Sequence, residues 1–178
     1  MATAQSVILP YGQPFGFAGQ ATHVLDSQSA ANKEASLSIA FGTGVKPGVN
    51  VKEALLPTAS NSVLAGIVRN AQVYAPGTFG NITSGGLIPN TMMELVTEGR
   101  IYVPVSSDTV AGNDTPAYWV FQTGGSDVIG QFRDTSNANT VDVTKQVTFK
   151  GVPLADPSAL TGGTSKICEV YVSISNKP

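Results

Sequence analysis

Charge, sulfur and imidazole are all scarce in this sequence. Only 12% of its 178 residues are charged, and it holds one cysteine, one histidine and one tryptophan. Globular domains ordinarily carry about twice that share of charge, so Ser, Thr, Asn and Gln must cover most of the surface. Lys and Arg number 10 against 12 Asp and Glu, for a net charge of -2. No basic residues cluster into the footprint that a phosphate backbone requires, so nucleic acid is not an expected partner. Cys168 alone cannot close an intramolecular disulfide, and without a Cys and His cluster there is no structural zinc site. Asp26, Asp108, Asp114, Asp127, Asp134, Asp142 and Asp156 are dispersed and form no DxDxDG loop for calcium. No metal and no cofactor is expected.

Long apolar runs are missing too. None approaches the roughly 20 residues needed to span a bilayer. The opening MATAQSVILPYG lacks both the basic start and the apolar centre of a signal peptide. A soluble, cytosolic setting without a membrane partner is the expectation. Helix signals are equally thin. VKEALLP has good helix formers in Glu53, Ala54, Leu55 and Leu56, but Pro57 would stop it within about two turns. NSVLAGIVRNAQVY carries Gly66 in mid-run among β-branched neighbours and reads as a strand.

What the sequence does have is a period of two and abundant turn residues, with 19 Gly and 11 Pro. In TVDVTKQVTFKG, Val141, Val143, Val147 and Phe149 share one parity, and Asp142, Thr144, Gln146 and Thr148 the other. Lys145 breaks the apolar face. KICEVYVSI repeats the pattern, with Cys168, Val170, Val172 and Ile174 on the core side. Further strands are predicted at 37–41, 63–69, 93–97, 100–105 and 118–122, separated by turn clusters such as GTGVKPG, APGTFG, SGG and TGGSD. The chain is long enough for one core. These features predict an all-β domain, an antiparallel sandwich or small barrel, with no linker or repeat to mark a second.

Chemistry is sparse. His23, the one near-neutral base, reads as a surface residue in a Gln- and Ser-rich loop with no nucleophile nearby. GTGVKPG and LTGGTSK do not fit GxxxxGK[ST] and read as turns. NIT at 81 and NDT at 113 match glycosylation acceptors but read as loop residues. With no pair of base and nucleophile, the chain is not expected to be an enzyme.

Three stretches bear on binding. TEGRIYVPVSSDTVAGNDTPAYWV, residues 97–120, sets Gly112, Asn113, Asp114 and Pro116 between two apolar runs, where the chain must reverse. Glu98-Gly99 allows a turn or bulge before Arg100. Arg100 has the opposite parity to Ile101, Val103 and Val105, so it is either a solvated strand residue or a contact in an interface, where Arg is over-represented. In PYGQPFGFAGQ, Pro10, Gly12, Pro14, Gly16 and Gly19 exclude a helix and a central strand. Yet Tyr11, Phe15 and Phe17 are aromatics that a disordered tail lacks. Either these rings pack on the protein's own body, or residues 1–20 form an extended arm that lies across a neighbour while residues 21–178 form the β domain.

The order AGIVRN, VTEGRIYVPV, VAGNDTPAYWV and GQFR, with PYGQPFGFAGQ and FGTGV ahead of it, resembles the tailed-bacteriophage structural cement, or capsid decoration, proteins. The resemblance implies a jelly-roll-like or barrel-like β fold and no catalysis. It further implies a homodimer or homotrimer that binds the outer surface of a phage head and clamps neighbouring HK97-type major capsid subunits. Such a protein is made in the bacterial host cytoplasm and ends on the virion. Tyr11, Phe15, Phe17 and Arg100 are the residues expected to contact the capsid or another subunit.

The alternative is a carbohydrate- or receptor-binding β-sandwich, with Tyr74, Tyr102, Tyr118 and Trp119 stacking on sugar rings. Alternation opposes it, because adjacent Tyr118 and Trp119 lie on opposite faces of one strand and at most one can join an exposed platform.

Overall fold

The computed structural model describes residues 18–70, 82–83, 86–155 and 166–174. Among these the chain is all-β, with no helix. The strands are β1 (Ala21–Asn32), β2 (Ile39–Ala40), β3 (Gly44–Pro47), β4 (Glu53–Leu55), β5 (Gly66–Arg69), β6 (Ile82–Thr83) and β7 (Gly86–Leu87). They continue as β8 (Met92–Val105), β9 (Tyr118–Val120), β10 (Phe132–Arg133), β11 (Thr140–Asp142), β12 (Val147–Phe149), β13 (Leu154–Ala155) and β14 (Lys166–Ser173). An 11-stranded sheet and a 3-stranded sheet, β2-β7-β6, contain them all.

The large sheet is mixed, which corrects the purely antiparallel expectation: β1 pairs with β4, and β8 with β10, in parallel. Pairings run β1–β4–β3–β5–β8 and return from β8 to β1. The other strands branch from β8 through β10 and β14, so the sheet as a whole is not a closed barrel. This order does not establish a jelly roll.

β8 organises both cores. A smaller cluster takes Ala30, Val45, Ala54, Val68, Met93 and Leu95 from the five strands of the returning circuit, with Ile39, Phe41 and Leu87 closing it. A larger cluster gathers Val96, Ile101, Val103 and Val105 around Trp119, Phe132, Phe149, Cys168, Val170 and Val172. Odd-numbered residues of β8 thus face the smaller core at 93 and 95 and the larger core from 101 onward. The change of face coincides with the irregular pairing of His23–Ser27 against Val96–Arg100. There Gly99 adopts a φ of 140°, a conformation that side chains disfavour. The stretches predicted as two strands, 93–97 and 100–105, are therefore one strand with a bulged middle.

Other departures have equally local causes. VKEALLP forms no helix; Glu53–Leu55 is strand β4, held between β1 and β3. GTGVKPG, predicted as a turn, contains β3. TVDVTKQVTFKG is two strands, because Gln146 and Val147 both donate backbone N–H bonds to the Val143 carbonyl. That turn keeps Val141, Val143, Val147 and Phe149 buried as the alternation requires, and it moves Lys145 out of any strand. The stretch expected to be a loop around His23 is strand β1, whose polar residues hide the pairing; His23 sits exposed on it. At its end, buried Asn32 donates its side-chain amide to the Leu37 and Leu87 carbonyls and accepts from the Glu34 N–H. This ties the strand to the second sheet.

Cys168 is core, as expected. Burial, with the charge of Glu169, pushes its thiol up to about 12. Since the thiolate is the reactive form, alkylating reagents near neutral pH are expected to leave folded protein unmodified over hours and to label it fully in denaturant. Rapid labelling of native protein would contradict this burial.

Candidate docking surface

The outward face of β8 carries Arg100 between His23 on β1 and Tyr171 on β14. Its side chain is 51% exposed, and its guanidinium lies 4.0 Å from the Glu169 carboxylate. So long and exposed an ion pair contributes little to stability, which leaves Arg100 available for an external contact. Thr22 donates its hydroxyl to the same carboxylate.

The loop between β8 and β9 is a turn, as its composition predicts. Asp114, at a positive φ of 62°, donates its N–H to the Phe149 carbonyl, and its carboxylate meets the Lys150 ammonium. Thr109 closes back on the Ser106 carbonyl. Nearby is a polar centre that sequence reading left among the dispersed aspartates. Asp127, only 1% exposed, accepts from the Ser106 hydroxyl at 2.9 Å, the Arg133 guanidinium at 2.7 Å and the Asn137 and Asn139 amides at 2.7 and 3.2 Å. Burial alone would raise its pKa. The amides, the hydroxyl and the guanidinium outweigh that and hold it below the usual carboxylate range. A carboxylate so fully engaged is a structural tie between loops, not a base. Its signal lay in the run from Asp127 to Asn139, whose Asp, Arg and two Asn are all polar yet meet at one point.

A second feature missed in the sequence is the β3–β4 hairpin tip, Pro47-Gly48-Val49-Asn50-Val51-Lys52. Val49 and Val51 are nearly free of contact with the rest of the chain, at 94% and 89% exposure. The visible sign was the alternating valines between a Pro-Gly pair and a lysine.

Among the described residues no group of His, Cys, Asp and Glu could hold a metal ion, and no helix is long and apolar enough to cross a membrane. The family model described as structural cement protein (E217 gp24/Pam3 gp6) matches residues 5–172. The chain belongs to this structural cement family. In fold it is similar to a chain from the solved capsid of Myoviridae phage XM1, with a TM-score of 0.62 at 16% identity over 97% of this chain and 98% of that one. A comparison with curated proteins returned no match.

For a cement-family chain, the expected contact residues divide in two. Arg100 stands on an exposed face, as described. Tyr11, Phe15 and Phe17 lie outside the described residues, but the segment that follows them does not: Gly19 donates to the Tyr102 carbonyl and accepts from the Asn70 N–H, and Gln20 accepts from Tyr102. The sugar-platform alternative loses its best ring, since Trp119 is wholly buried in the larger core. Tyr118, on the opposite face, is half-buried.

Proposed function

We propose that this chain is a capsid cement protein that binds the outer surface of a phage head as a homodimer or homotrimer and stabilises contacts between HK97-type major capsid subunits. The observation that carries the reading is the family match across residues 5–172. The fold suits this role, since a clamp needs a stiff body and external contacts repeated over many copies, whose modest energies add. A surface with little charge also makes attachment less sensitive to salt. The test is to add purified protein to heads that lack it. Density on the outside of the shell and heads that resist higher temperature are expected; failure to bind, or binding inside the shell, would refute the reading.

Residues 1–20 serve in this proposal as an extended arm, with Tyr11, Phe15 and Phe17 as its contacts, and 21–178 as the β domain. Because Gly19 and Gln20 are hydrogen-bonded into the body, deletion of residues 1–17 is the cleaner test. The truncated body is expected to fold and to lose most of its head occupancy. Full occupancy would rule out the arm, and failure to fold would mean that the rings pack on the body itself. Arg100→Ala is expected to change stability by less than about 0.5 kcal/mol while weakening attachment severalfold; unchanged attachment would leave Arg100 a solvated strand residue.

A further inference from the structure

We draw no further inference here: the strongest candidate, the open cleft between the β4–β5 loop and the β11–β12 turn, lined by Val63, Leu64, Val141 and Val143 with Asp142 and Lys145, has both of its charged residues exposed to solvent, and nothing in the structure shows what would fill it.

Discussion

Gly99→Val lowers the unfolding free energy by about 3 kcal/mol or more, or prevents recovery of soluble protein. Two costs combine. At a φ of 140° a side chain is strained by about 1 to 3 kcal/mol, and a Cβ would lie 2.2 Å from the His23 carbonyl oxygen and 3.0 Å from the Val24 Cα. Both contacts are backbone, so no side chain can move aside, and overpacking adds about 1 to 3 kcal/mol. The damage reaches both cores, since β1 must leave β8 where the strand changes face. Gly125→Ala is the control: its φ of 62° is also positive, but nothing lies within 4 Å of the added Cβ. It is expected to cost about 1 kcal/mol. Chemical denaturation of both variants checks the difference; equal costs would mean that the close approach of β1 does not matter.

Asp127→Ala is the second large effect, a loss of about 3 kcal/mol. Removing one partner of a buried ion pair leaves the other charge uncompensated, typically at about 3 to 5 kcal/mol. The lower end applies because Arg133 keeps its 3.0 Å contact with Asp108. Ser106, Asn137 and Asn139 also lose their common acceptor. Adding Arg133→Met to Asp127→Ala removes the stranded charge and is expected to recover part of the loss; no recovery would place the cost in the neutral hydrogen bonds. The same network sets a pH dependence. The folded pKa of Asp127 is held low by its donors against the opposing effect of burial. Its stabilisation is therefore complete above the unfolded carboxyl range, about pH 4, and disappears as pH falls through the lower folded value. Asp127→Asn is expected to show a shallower fall in melting temperature below about pH 4 than wild type. An identical slope in the two proteins would remove Asp127 from the acid response.

Alternation in the sequence was enough to establish an all-β chain and most of its core. Val141, Val143, Val147 and Phe149, and Cys168, Val170, Val172 and Ile174, are all buried, because each strand has one face in a core and a period of two records that directly. The burial of one ring of the Tyr118–Trp119 pair followed from the same rule. So did the turn at 106–117, whose Gly, Asn, Asp and Pro have few alternatives. The order of short Gly and apolar strings pointed to the cement family, which the match over residues 5–172 shows.

Tertiary structure alone decided the rest, for reasons that no local pattern carries. β1 is polar at most of its positions and shows no strand signal, because its pairing with β8 rests on backbone hydrogen bonds that every residue can make. β8 is continuous across Glu98-Gly99, where β1 and β14 pair with it on both sides of the bulge. Parallel pairing joins strands distant in sequence, so β1–β4 and β8–β10 left no trace to read. Asp127 and Arg133 became a buried pair only when loops around β8, β9 and β10 met. Val49 and Val51 matched the apolar alternation of core residues, and it was the projection of the β3–β4 hairpin beyond both cores that left them in solvent.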